Sequence, residues 1–369
     1  MKTGGFLGFL KREPILVIAA LAAAVSCFLV PPDRAYLGYI DWRTLALLYA
    51  LMVVVAGLRC AGAFDLLAHG LCARTKTARA VGAALVAMSF FSSMLITNDV
   101  ALLTFVPFAV TLMGMTGRGG DLLYVVALQT AAANLGSMLT PVGNPQNLYL
   151  YSHYGLGAGD FFRITSPVWA LSLLLTLLLC LVLPRAPLRI ELGEKPSVER
   201  KRLWLYLALF ALCLLTVFRL IPWPAMLAAV LAALGIFDRK RLLDADFLLL
   251  LTFVAFFVFA GNLARLDAVD ALLRRLLLGR EYLAALLTSQ VISNVPAALL
   301  LSGFTDNARE LLLGVDVGGL GTPIASLASL ISLKLYCRSK GAKPARYLTV
   351  FLGVNLLLLA LLSCAHLLI

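Results

Sequence analysis

Residues 134–147 read Asn-Leu-Gly-Ser-Met-Leu-Thr-Pro-Val-Gly-Asn-Pro-Gln-Asn, in the middle of an otherwise apolar run from Leu122 to Ser152. A second run, Leu311 to Tyr336, is broken the same way by residues 316–326, Asp-Val-Gly-Gly-Leu-Gly-Thr-Pro-Ile-Ala-Ser. Gly lets another group approach the backbone, and Pro removes a donor and frees a carbonyl from the helix ladder. Such breaks at membrane depth are tolerated where they face protein or a cavity rather than lipid. Upstream of each lies a short polar turn, Thr97-Asn98-Asp99 in the first half and Ser293-Asn294-Val295-Pro296 in the second. One turn and one broken helix per half predict two repeats that meet at a central site.

Composition sets the solvent. The 369 residues are 62% hydrophobic and 14% charged, against about 45–50% and 25% in soluble domains. Uncharged runs such as Pro14–Pro32, Ile164–Pro184 and Tyr347–Ile369 approach membrane-spanning length. The expected fold is an all-α polytopic membrane protein of about nine full spans plus two hairpins. Lys2, Lys11 and Arg12 ahead of an apolar stretch imitate a signal peptide, but the many later spans favour a retained first helix. The net charge of +12 belongs to loops between spans and points to lipid, not nucleic acid. The seven cysteines are scattered without a CxxC pair and read as apolar packers.

Ordered landmarks define the repeats. Pro14 pairs with Pro224, Asp41-Trp42 with Asp246-Phe247, Asn98 with Asn294, and Thr140-Pro141 with Thr322-Pro323. The offset falls steadily from 210 to 182 residues, as a duplicated unit with shorter loops in its second copy requires. Repeat 1 is expected over 1–184, with a hairpin at 78–118 and a broken helix at 121–152. A cytoplasmic linker follows at 185–202. Repeat 2 covers 203–369, with a hairpin at 281–307 and a broken helix at 308–337. The second hairpin has 27 residues, too few for two crossings, which need about 40. The first, at 41 residues, is long enough for either arrangement.

Lys and Arg cluster at the N-terminus, Arg59–Arg79, Arg185–Arg202, Arg239–Arg241 and Arg338–Arg346. With these loops cytoplasmic, the N-terminus is inside, the C-terminus outside, and the repeats are inverted. Arg265–Arg280 breaks the pattern and reads as an interfacial amphipathic helix matched to Ala63–Arg74. Trp42, Trp169, Trp204 and Trp223 are expected at span ends as interface anchors.

Among carboxylates only Asp99 and Asp316 sit deep in apolar stretches. A lone carboxylate there must pair with a cation or hold a proton, which is ion-coupling chemistry. No Lys or Arg is placed to clamp an anion, so a solute would be held by helix ends, amides and hydroxyls. Expected solute contacts are Asn98, Thr140, Pro141, Asn144, Asn294, Thr322 and Pro323. Expected ion-coupling residues are Thr97, Asn98, Asp99, Gly143, Ser293, Asn294, Asp316 and Ala325, with Asp316 beside Asn294 and Ala325. No phosphate-binding loop, catalytic triad or metal-protease motif occurs, so neither an enzyme nor an ATP-driven pump is expected, and no cofactor beyond Na+ or H+.

The stretches ITNDVALLTFVPFA (96–109) and GVDVGGLGTPIASLASLISL (314–333) resemble the ion transporter superfamily of arsenite permeases, citrate-transporter-like permeases and divalent anion:sodium symporters. The arsenite-permease branch and small bacterial inner-membrane permeases are the most similar in these motifs. The resemblance implies an elevator-type secondary transporter of a bacterial inner membrane, often a homodimer, whose hairpin tips and broken helices form the site. In the dicarboxylate symporters each tip carries Ser-Asn-Thr. Here both Asn are kept and the third hydroxyl is replaced by Asp99 and Val295. The resemblance further implies Na+ at Asn98 with the backbone near Gly143, and at Asn294 with the backbone near Ala325. It also matches Asp99 and Asp316 to acidic positions of arsenite-permease-like sequences. The expected activity is transport of a small anion or oxyanion, carboxylate or arsenite-like, coupled to Na+ or H+. The alternative is a Na+/H+ antiporter without organic substrate.

Overall fold

The computed structural model describes residues 14–72, 75, 77–115, 119–187, 198–339 and 341–368. The basic N-terminal segment, residues 116–118 of the first hairpin and most of the 185–202 linker lie outside the described residues. What is described is helical throughout, apart from one isolated bridge between Thr77 and Pro187. Among the described residues, six helices are long and apolar enough to cross a membrane. The protein is an all-α polytopic membrane protein, as its composition requires.

In chain order the helices of the first half are α1 (Pro14–Leu29), α2 (Trp42–Cys60), α3 (Ala63–Cys72), α4 (Ala78–Ile96), α5 (Asn98–Met115), α6 (Gly119–Gly136), α7 (Pro145–His153) and α8 (Ala158–Cys180). Then comes α9 (Arg200–Val217). The second half holds α10 (Trp223–Phe237), α11 (Phe247–Ala264), α12 (Asp267–Leu277), α13 (Glu281–Ile292), α14 (Asn294–Leu301), α15 (Ala308–Gly318), α16 (Leu327–Cys337) and α17 (Pro344–His366). With α9 and the four-residue helix Tyr36–Tyr39 set aside, eight described α-helices follow eight in the same order.

Local chemistry repeats with the order. Asp41 caps α2 by accepting from Thr44 N–H at 2.9 Å, and Asp246 caps α11 by accepting from Leu249 N–H at 2.9 Å. Each cap satisfies one of the N–H groups a helix start leaves unpaired. The tip residues Thr97 (φ 70°, ψ 153°) and Ser293 (φ 75°, ψ 154°) adopt the same positive-φ backbone. A non-glycine residue held there costs of order 1–3 kcal/mol, so surrounding contacts must impose it.

The helices group into two bodies. α1, α2, α9, α10 and α11 pack on one another, and α4–α8 pack with α13–α17. α3 and α12 connect them, and α12 is amphipathic, with Leu277 buried and Arg274 exposed beside Asp270. The second body is centred on α6, whose 121–139 stretch is 89% buried, whereas α8 and α17 are 22% and 28% buried. Ala131, Ala132 and Ala133 let neighbours come close to α6. Gly136 is tighter still, because a Cβ there would lie 2.0 Å from the Phe90 carbonyl oxygen.

The arms of the first hairpin, α4 and α5, are 19 and 18 residues, whereas α13 and α14 are 12 and 8. Of these four, only α4 is long and apolar enough to cross a membrane by itself among the described residues. One expectation changes. Trp169 is not an end anchor: it lies mid-helix in α8, with its ring 5.5 Å from that of Phe90.

Candidate functional site

Each tip is tied to its own broken helix through the backbone. Asn98 N–H donates to Gly143 C=O at 3.2 Å, and Asn294 N–H donates to Ala325 C=O at 2.9 Å. These carbonyls are free to accept because the helix ladder has stopped at the breaks. Gly143 must lack a side chain, since a Cβ would sit 2.1 Å from the Ser137 carbonyl oxygen. The threonines of the breaks brace the tips from behind. Thr140 Oγ1 donates to Met94 C=O, and Thr322 Oγ1 donates to Gln290 C=O at 3.1 Å.

The halves meet at a small buried cavity of about 20 Å³. Asn98 and Asp99 line one side, Asn294 and Val295 another, with Gln146 and Ser326 from the two restarting helices. This volume suits about one water or one bare ion. Asn98 and Asn294 are 6% and 4% exposed. Asp99 lies in the first turn of α5, where the free N–H groups favour a negative group, and its Oδ1 is buried without a partner.

Two larger cavities approach from opposite ends of the bodies' interface. One, of about 930 Å³, runs between α2 and α5 past Arg59 and Arg241 and reaches Asp99. The other, of about 450 Å³, runs between α7 and α11 past Asp41, Arg43 and His153 and ends at Leu299 and Gly303. At the second cavity His153 contacts Tyr149 Oη and the Ser302 carbonyl, both at 3.3 Å.

Behind the cavity, two polar clusters cross between the halves. Asn134 Oδ1 accepts from Asn98 Nδ2 at 2.8 Å and from Ser326 Oγ at 2.9 Å, while its Nδ2 donates to Ser329 Oγ at 3.3 Å. At the matching place in the second half, Asp316 Oδ1 accepts from Gln146 Nε2 at 3.4 Å, with the side chains of Asn147 and Asn144 also against it. Asn134, Gln146, Asn147 and Ser326 were absent from the expected site. Their signal was a second layer of polar residues just after each break, Asn144-Pro-Gln-Asn147 and Ser326-Leu-Ala-Ser329.

The expected residues thus divide. Asn98, Asp99 and Asn294 share the cavity. Thr97 and Ser293 shape the tips, and Gly143 and Ala325 receive their N–H groups. Thr140 and Thr322, followed by Pro141 and Pro323, spend their hydroxyls on the hairpins and do not line the cavity. Asn144 donates to Ser137 Oγ at 2.7 Å. Asp316 meets amides of the first half rather than Asn294 and Ala325, because each broken helix packs against the other half's polar layer.

Comparison with known proteins adds the family. The citrate transporter family (CitMHS) matches residues 7–328. The chain is 31% identical over 337 residues to the inner membrane protein YbiR of Escherichia coli, covering 89% of this chain and 90% of that one. It is 33% identical over 298 residues to the uncharacterized transporter MJ0456 of Methanocaldococcus jannaschii, covering 80% and 81%. A shorter match, 32% over 151 residues, is to the silicon efflux transporter LSI3 of rice, covering 39% of this chain and 30% of that one. Long polar-broken helices, a shared buried cavity and these matches agree: this chain is a membrane transporter, not an enzyme, and belongs to the citrate transporter family.

Proposed function

We propose that the protein is a secondary carrier that moves a small anion or oxyacid across a bacterial inner membrane, coupled to Na+ or H+. The observation that carries this reading is that Asn98 and Asn294, one from each half, line a single buried cavity. A site shared by two halves can be opened to either side by moving one body against the other. The unequal approaches support an elevator-type motion of the α4–α8/α13–α17 body, with one route open as far as Asp99 and the other stopped at Leu299. The Arg59 and Arg241 route is assigned to the cytoplasm by the positive-inside rule. The N-terminus is then inside, the C-terminus outside, and the halves are inverted repeats. A homodimer remains the working oligomer.

The polar lining of the cavity is amides, a hydroxyl and a carboxylate, beside the apolar Pro145, Leu249, Val295, Leu327 and Ala328, with no Lys or Arg among the described residues. That set suits a hydroxylated oxyacid better than a multiply charged carboxylate, which would need a fixed cation. The partial rice relative is named a silicon efflux transporter, and silicon dissolves in water as a hydroxylated oxyacid. Asn98 and Asn294 would hold the solute once movement of one body against the other widens the cavity beyond its water-sized volume. The Gly143 and Ala325 breaks would hold the coupling ion.

The test is counterflow in proteoliposomes with silicic and arsenous acid set against citrate. Asn98→Ala and Asn294→Ala should each abolish saturable flux, and wild-type flux in both would end the assignment. A second reading, Na+/H+ exchange without an organic solute, is favoured by the ion-sized cavity and the carboxylate of Asp99. It predicts that a sodium gradient alone moves protons in solute-free liposomes.

A further inference from the structure

The two cross-half clusters are alike in place and opposite in state. Asn134 is 2% exposed, and both ends of its amide are bonded, to Asn98, Ser326 and Ser329. Its counterpart Asp316 is equally buried at 2%, but there three side-chain oxygens are left over: Asp316 Oδ2, Asn144 Oδ1 and Asn147 Oδ1. Each is enclosed and lacks a donor. Buried oxygens without donors are rare in native proteins and call for an explanation. Among the described residues the carboxylate also has no countercharge, since the side chains acting on it are the amides of Gln146, Asn147 and Asn144. A proton on Oδ2 would supply one donor for three oxygens. A bare monovalent cation would supply the carboxylate with a countercharge and accept amide oxygens as ligands, the donor set of hard cations.

We propose that Asp316, Asn144 and Asn147 form a sodium site enclosed between the two halves, distinct from the hairpin-tip cavity. Asp316 supplies the charge, the two Asn supply neutral oxygens, and Gln146 Nε2 and Ser137 Oγ hold the carboxylate and the Asn144 amide in place. Asn134 is the uncharged mate of Asp316, so the pseudo-symmetric place on the other side holds no ion. One cluster is a permanent lock, and the other locks when sodium is bound. This rests on the coupled-carrier reading, which it deepens by naming where one coupling ion sits.

The probe is sodium itself. Purified full-length protein is titrated with radiolabelled sodium, choline replacing sodium at fixed ionic strength, and stoichiometry is read by scintillation proximity. Asp316→Asn, which keeps the side-chain shape, should remove one sodium equivalent. Asn147→Leu, which leaves the carboxylate, should weaken that same equivalent about tenfold or more. Asn98→Ala should retain it while losing solute flux, so that failure of the tip reading and failure of this site appear in different variants. Wild-type sodium stoichiometry and affinity in both Asp316→Asn and Asn147→Leu would overturn the site. So would a wild type that binds no sodium and responds only to protons.

Discussion

The two hairpin tips share a backbone and differ in charge. Thr97 and Ser293 have the same φ and ψ within a few degrees, and Asn98 and Asn294 donate to equivalent carbonyls. Thr140 and Thr322 brace equivalent turns. Yet the next residue is Asp99 in one and Val295 in the other, and only the Asp99 side opens onto the larger cavity. The two halves share the geometry that makes a site, and charge sits on one side of it. The same split recurs one layer back, where Asn134 is neutral and Asp316 is not.

The strongest challenge to this near-symmetry lies in the helix contacts behind the tips. At Gly136 an added Cβ would meet the rigid Phe90 carbonyl oxygen at 2.0 Å, whereas at Gly318 it would meet the Ser289 hydroxyl at 2.9 Å. Gly136→Ala should therefore destabilise by about 3 kcal/mol or more, and Gly318→Ala by about 1 kcal/mol. Thermal unfolding of both variants in the same detergent checks the order; equal losses would mean the two packings are not different.

Next comes the neutral cluster. Asn134→Leu removes the acceptor of Asn98 Nδ2 and Ser326 Oγ, leaving two buried donors unpaired, and should cost about 2 kcal/mol. Differential scanning fluorimetry reads this directly. Asn134→Asp, which copies the charged half, should instead make stability depend on sodium at a second place.

The tip charge itself is tested by Asp99→Val, which makes the first tip like the second. Flux in proteoliposomes should fall about tenfold, equal to about 1.4 kcal/mol of barrier. Val295→Ala should leave flux near wild type. A full-rate Asp99→Val carrier would show that the charge difference between tips has no part in transport. The smallest effect belongs to the braces. Thr140→Val and Thr322→Val each lose one hydroxyl bond to a backbone carbonyl and should lose about 1 kcal/mol, with solute affinity unchanged. A change in affinity without a change in melting would return both hydroxyls to the solute.

What the sequence revealed, and what it hid, follows from the range of each interaction. Gly, Pro and Asn at residues 134–147 and 316–326 are local breakers, so the broken helices were legible, as was the tip pair Asn98 and Asn294. The use of the Thr140 and Thr322 hydroxyls was hidden, because Thr near a Pro serves a solute or a neighbouring carbonyl equally well on paper. The partners of Asp316 were hidden for another reason. They lie in the other half, at residues 144–147, and nothing local says which half a buried carboxylate will face. Trp169 reads as an anchor by type, and only its packing on Phe90 reveals an interior role.

The central claim is that two tips distant in sequence enclose one pocket inside the membrane. An experimental density map of the full-length protein in lipid nanodiscs, with sodium and a saturating oxyacid, tests it most directly. The account predicts Asn98 and Asn294 on either side of one enclosed density between the two bodies. Asn98 and Asn294 facing separate aqueous surfaces, with no density shared between them, would contradict it.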